Sequence, residues 1–272
     1  MERTVFLVSD RTGITAETLG HSLLTQFDNI QFKQINLPYV DSVEKAEQVV
    51  EQINRAARED GARPIVFSTL VDARVRTLVA ECDGVFLDFF DTFIGPLERE
   101  LGVKSSHTVG RSHGLVDVTM YGGRMEAVNF ALNTDDGTTT QHYDQADIIL
   151  IGVSRSGKTP TCLYLALQFG IRASNYPLTE EDLTDSQLPA ALEPFRHKLY
   201  GLTIDPLRLH QIRTERKPDS RYASLRQCQY EVQQAEALYR IKGIRFLNTT
   251  AMSIEEIATT ILHETKLKRR LY

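Results

Sequence analysis

The sequence predicts an α/β protein of two domains: an N-terminal α/β domain with a mainly parallel sheet over residues 1–140, and a second α/β domain over 141–272. Three observations predict it. Short runs rich in Val, Ile and Phe alternate with longer segments of helical period. The alternation breaks between Val103 and Gly123 into a polar, glycine-containing loop, and a polar tract runs from NTDDG to His142. The apolar run ADIILIG, Ala146 to Gly152, then restarts the pattern in the manner of a strand buried on both faces.

In the first half, VFLVS (Val5–Ser9) is a strand and Ala16–Phe27 a helix, followed by the strand FKQINLPY and a helix over Val43–Arg58. In that helix Val43, Ala46, Val50, Ile53 and Ala57 share a face, and Ser42 is placed to accept the first unpaired N–H groups. PIVFSTL, Pro64–Leu70, is the next strand and Ala73–Ala80 the next helix; GVFLDFF and PLERELG form a further strand and helix. Met125–Leu132 is helical. In the second half a helix over Thr161–Phe169 follows ADIILIG, HKLYGLTID is a strand ending at Asp205, and Tyr222–Tyr239 is a long helix. IRFLNTT is a strand, and the helix after it opens with the capping box Ser253–Glu256. No sequence repeat or low-complexity tract is evident.

Bulk properties exclude several classes. The 272 residues are 42 % hydrophobic and 25 % charged, enough for a real core, and a net charge of -5 gives no field that would attract nucleic acid. The one basic run, Lys266–Arg270, reads as the solvated last turn of a helix, where cations suit the negative end of the dipole. No apolar stretch approaches the length of a membrane span and MERTVFLVSDR has no signal-peptide layout, so a soluble cytoplasmic protein is expected. Cys82, Cys162 and Cys228 are odd in number and far apart, which argues against a disulfide framework and a zinc site.

The chemistry concentrates in Gly152, Val153, Ser154, Arg155, Ser156, Gly157, Lys158 and Thr159, which satisfy G-x-x-x-x-G-K-[ST] with a strand before and a helix after. Backbone N–H groups must converge on phosphate oxygens without side chains intruding, hence the glycines, and the helix N-terminus adds its positive dipole end. Lys158 supplies a point charge for the terminal phosphate, and the Thr159 hydroxyl suits Mg²⁺. The second domain therefore reads as a P-loop, kinase-like α/β domain. Asp205 is the candidate for the metal-orienting carboxylate, although Asp205-Pro206 is equally the start of a helix. Arg155, Arg172, Arg208 and Arg213 are candidate cations for the transferred phosphoryl group. SDRTGITAE, Ser9–Glu17, lies at a strand-to-helix turn where Thr12, Gly13 and Thr15 suit a phosphate or a phosphorylated peptide, while Thr15 also suits a helix cap. Arg111 and His113 meet in GRSHG, and Asp135-Asp136-Gly137 is most simply a turn. The H-R-D, D-F-G and V-A-I-K signatures of protein kinases do not occur.

Taken in order, SDRTGITAE, GRSHG, DDG, GVSRSGKTPT, QFGIRASNYPL, GLTIDPLRL and SRYASLRQC resemble, across essentially the whole chain, the family of pyruvate, phosphate dikinase and phosphoenolpyruvate synthase regulatory proteins. Arg11 departs from the smaller residue of relatives and bears only on the shape of the first turn. The resemblance implies a bifunctional serine/threonine kinase and phosphorylase. One reaction phosphorylates a threonine of the target enzyme with ADP as donor and inactivates it; the other uses inorganic phosphate to remove that group as pyrophosphate. Phosphoenolpyruvate synthase is the implied protein partner and Mg²⁺ the expected metal, with homo-oligomerisation left open. The resemblance does not assign the base that activates the threonine; Asp205 and His113 are the candidates.

Overall fold

The computed structural model describes residues 2–106, 118–137, 140–184 and 187–268. Contacts divide the chain into two compact units, Met1–Gly114 and Leu115–Tyr272. The sequence reading sets its boundary near residue 140. The helix Val118–Asn133 instead packs with the second unit, because Ala127 and Ala131 are buried against the same apolar cluster as Leu165 and Ile261.

In the first unit, β1 (Glu2–Ser9), β2 (Gln31–Leu37), β3 (Ile65–Thr69) and β4 (Val85–Asp88) form a sheet of order β2-β1-β3-β4, with every pairing parallel. The connections are α1 (Ile14–Leu24), α2 (Val43–Asp60) and α3 (Ala73–Ala80), with α4 (Phe89–Leu101) following β4. Phe6 and Val8 face α2 and α3, while Val5 and Leu7 face α1 and Phe89, so β1 is apolar on both sides. Ser42 caps α2 by accepting from Lys45 N–H, as its position suggests. The buried face of α2 is Ala46, Val49, Ile53 and Ala57, with Val50 half-buried and Val43 exposed. Phe89 and Phe90 belong to α4 rather than to the strand, because Asp88 accepts from Asp91 N–H and starts the helix there.

In the second unit α5 (Val118–Asn133) precedes β5 (Ile148–Gly152), α6 (Lys158–Phe169), β6 (Ala173–Pro177), the short α7 (Glu180–Thr184), β7 (Leu199–Thr203), α8 (Pro206–Arg216), α9 (Leu225–Lys242), β8 (Phe246–Asn248) and α10 (Ile254–Thr265). The sheet order is β6-β5-β7-β8, again wholly parallel. Ile149 and Ile151 enter the core beneath α9, and Ile148 and Leu150 the core beneath α6 and α10. The Ser253–Glu256 capping box of α10 forms in both directions. That helix ends at Thr265, with Lys266 at φ 56 as its cap, so the basic run begins beyond the last turn. Among the described residues no helix is long and apolar enough to cross a membrane.

Both units therefore share one strand order. In each, the chain leaves the first strand, crosses to one side, then returns to add two strands on the other. That places a topological switch point at the carboxyl end of the first strand, where parallel sheets bind ligands.

Candidate phosphate-binding site

The loop between β5 and α6 lies at the switch point of the second sheet. Gly152 ends β5 buried against β7: a Cβ built on it would stand 2.5 Å from the Leu202 carbonyl oxygen and 2.9 Å from Ser156 Oγ, so only glycine fits. Arg155, at φ 76, and Gly157, at φ 93, take the left-handed conformation. Left-handed residues within such a turn make successive N–H groups converge into an anion-binding concavity. Gly157 is the N-cap of α6, without a side-chain cap, so the helix N-terminus opens toward the loop.

Three loop carbonyls are held from outside. Leu178 N–H donates to Gly152 O at 3.0 Å, Arg213 Nη2 to Ser154 O at 3.1 Å and Thr249 Oγ1 to Ser156 O at 3.1 Å. These donors come from the segments after β6, from α8 and from the turn after β8. Lys158 is buried and its Nζ donates to Val153 O at 3.0 Å across the loop. Burial pushes its ammonium down to about 8, with the carboxylates of Asp136 and Asp135 acting in the opposite direction. Ser156 Oγ is buried with no hydrogen-bond partner among the described residues. Arg155 is exposed.

Asp135, which the sequence reading leaves in a simple turn, stands beside the loop. Thr159 Oγ1 donates to Asp135 Oδ1 at 2.8 Å, and Asn175 Nδ2 donates to the same oxygen. Asn175, fully buried in β6, also accepts from Asp136 N–H at 3.1 Å, and Asp136 sits at φ 51 in a 3-10 turn. The pair of aspartates is thus fixed from β6, next to the lysine and threonine of the loop. The DDG motif, which belongs to the resemblance, was the available signal; hydrophobic periodicity carried none.

Asp205 is the N-cap of α8, its Oδ1 accepting from Leu207 N–H at 2.9 Å and Arg208 N–H at 3.1 Å. It follows β7, the neighbour of β5. Its helix-starting reading is therefore realised, and any role toward a metal must coexist with the cap. His113 and Arg111 lie outside the described residues.

The four arginines separate. Arg213 is wholly buried and engaged with Glu231 at 2.6 Å, so it supports the loop and is not an exposed cation. Arg172 precedes β6, whose Ala173 pairs with Ile148 at the amino end of β5, the end opposite Gly152; its guanidinium pairs with Glu126. Arg208 lies in the first turn of α8 and reaches Gln211. Arg155 remains in the loop itself. In the first unit the loop after β1 ends at Gly13, φ 80, the N-cap of α1, while Thr15 lies inside the helix and does not cap it. Arg11-Thr12-Gly13-Ile14-Thr15 parallels Arg155-Ser156-Gly157-Lys158-Thr159, with exposed Ile14 in place of the lysine. The three cysteines are free and buried, and among the described residues no group of three or more His, Cys, Asp or Glu is arranged to hold a metal.

A family model described as Kinase/pyrophosphorylase matches residues 5–262. A protein of Alkalilimnicola ehrlichii is 63 % identical over 270 residues, covering 99 % of this chain and 98 % of its own. One of Halorhodospira halophila is 58 % identical, with 99 % and 98 % covered, and one of Stutzerimonas stutzeri is 57 % identical, with both chains covered completely. All three are provisionally named phosphoenolpyruvate synthase regulatory protein.

Proposed function

The chain belongs to the kinase/pyrophosphorylase family, and from that premise we propose that it regulates phosphoenolpyruvate synthase by adding and removing a phosphoryl group on a threonine. In the inactivating direction the threonine oxygen attacks the β-phosphorus of ADP. The bond from that phosphorus to the bridging oxygen breaks, AMP leaves, and the hydroxyl proton passes to a base. In the activating direction an oxygen of inorganic phosphate attacks the phosphothreonine phosphorus, the bond from that phosphorus to the threonine oxygen breaks, a proton returns to that oxygen to restore the hydroxyl, and pyrophosphate leaves.

The observation that carries this reading is Lys158 held inside the loop from Gly152 to Gly157 at the open N-terminus of α6. A ring of N–H groups with a buried ammonium stabilises charge on transferring phosphoryl oxygens and needs no reorganisation during reaction. Thr159 with Asp135 offers a hydroxyl and a carboxylate side by side, a hard oxygen donor pair that suits magnesium. Bound by these two, with Asp205 at the end of the adjacent strand, magnesium would supply charge neutralisation at the phosphates. Asp205 and His113 are the candidate bases for the threonine hydroxyl. The names carried by relatives identical at more than half of the positions support the choice of target.

Incubating the full chain with ADP labelled at the β-phosphate and purified phosphoenolpyruvate synthase tests the proposal. The expected result is labelled threonine in the synthase and release of AMP, followed by labelled pyrophosphate on addition of inorganic phosphate. Label on a small metabolite without the synthase, or ADP binding without transfer, would overturn it.

A further inference from the structure

Arg213 is fully buried and Tyr222 half-buried in the second unit, and both bond to Ser154 of the loop. Arg213 Nη2 donates both to Glu231 Oε2, at 2.6 Å, and to Ser154 O, at 3.1 Å; Nη1 donates to Tyr222 O at 3.0 Å. The guanidinium carbon lies 4.1 Å from the Tyr222 ring centroid, and Tyr222 Oη is 3.0 Å from Ser154 Oγ. Gln227 Nε2 holds the other carboxylate oxygen of Glu231 at 3.0 Å. Ser154 is thus gripped twice, by its carbonyl and by its hydroxyl.

A peptide unit is planar and trans, so its C=O and N–H point in opposite directions. Fixing the Ser154 carbonyl outward on Arg213 turns the Arg155 N–H toward the opposite side, into the concavity of the loop. Arg155 must occupy the left-handed region to continue the turn, a conformation disfavoured for a residue with a Cβ. The surroundings therefore have to impose it. We infer that Arg213, clamped by Glu231 and stacked on Tyr222, is a positioning residue that aims the Arg155 N–H at bound phosphate. Arginine suits the task because its planar fork serves two acceptors on one nitrogen and a third on the other, which a lysine ammonium on a flexible stem does not reproduce.

The inference rests on reading the loop as a phosphate receptacle, and its test separates the two. ADP binding to the full chain is measured by calorimetry for Tyr222→Phe, Ser154→Ala, their double variant, Arg213→Lys and Lys158→Ala, with circular dichroism and thermal melts alongside. Tyr222→Phe keeps the stacked ring and loses only the hydroxyl; it is expected to weaken ADP binding about fivefold, the worth of one hydrogen bond. In the Ser154→Ala background the same change is expected to cost less than about twofold, because the hydroxyl acts through Ser154. Arg213→Lys is expected to raise the dissociation constant about tenfold or more in folded protein. A purely structural role would lower the melting point and leave affinity of the folded chain unchanged, which overturns the inference. So would an undiminished Tyr222→Phe effect in the double variant. If Lys158→Ala binds ADP and transfers phosphoryl groups as the wild type does, the receptacle reading itself fails; if it is impaired in either while Tyr222→Phe and Arg213→Lys bind as the wild type does, only the positioning role fails.

Discussion

Thr159, the second residue of α6, donates its hydroxyl to Asp135 Oδ1 at 2.8 Å, joining the glycine-rich loop to a turn 24 residues earlier. Asn175 of β6 fixes that turn by donating to Asp135 and accepting from Asp136 N–H. The carboxylate is therefore oriented before any phosphate or metal arrives. Preorganised charge of this kind costs nothing to arrange at the moment of reaction.

Asp135→Asn keeps an oxygen acceptor for Thr159 and removes the charge. Phosphoryl transfer is expected to fall by about a hundredfold or more, and the magnesium concentration giving half-maximal activity to rise. Unchanged turnover with an unchanged magnesium dependence would exclude Asp135 from the site.

Asp205→Asn is the companion variant. Asparagine ranks with aspartate at an N-cap, so stability should change by less than about 1 kcal/mol, measured by urea unfolding. If the carboxylate also orients metal or accepts a proton, turnover drops by orders of magnitude. A stable and fully active variant would leave Asp205 only the cap of α8.

Lys158→Ala is expected to abolish transfer in both directions while circular dichroism stays that of the wild type. In the proposed reaction the lysine acts on charge that develops during transfer, so turnover should suffer more than binding. Near-normal activity would sink the assignment of the loop.

Only one loop in the chain carries the complete motif, whereas the proposed reactions use ADP and inorganic phosphate. If both occupy the same concavity, ADP inhibits phosphate-dependent removal competitively with respect to inorganic phosphate. Rates measured across phosphate concentrations at several fixed ADP levels decide this, and a lowered maximal rate would place phosphate elsewhere.

Asp10 supplies a pH dependence in the first unit. It is buried, accepts from Val71 N–H at 3.0 Å, and burial raises its carboxyl above the ordinary value, with the Val71 bond opposing. The native state therefore holds this proton more tightly than the unfolded chain does, and stability from this group is lost as pH rises through the raised value. Asp10→Asn, which retains an acceptor for Val71, should equal or exceed wild-type stability at pH 7, with the gap closing toward pH 4. A variant less stable than wild type by a constant amount across that range contradicts the reading.

The sequence by itself determined the parallel α/β class, the chain order of most elements and the glycine-rich turn between β5 and α6 that is proposed to bind phosphate. Each depends on local information: a side-chain period of two or 3.6, or eight contiguous residues whose backbone forms the site. α6 starts at Lys158, three residues before the expected Thr161, within the margin by which pattern reading misplaces helix ends; α4 starts at Phe89, seven residues before the expected Pro96, because the Asp88 cap turns apolar residues that resemble a strand into the first turn of a helix. What only the tertiary structure decided is which distant side chains serve the loop. Asp135, Arg213 and Thr249 lie 24, 59 and 93 residues from the loop residues they bind. None is marked by periodicity, and Arg213 reads in sequence as a cation for phosphate. In the structure it is buried and bonded to Glu231 and Ser154 O, so it supports the loop from within the core. The reason is topological: the order β6-β5-β7-β8 decides which segments meet at the carboxyl end of β5. Crossover connections set that order, and their partners are not local in the chain.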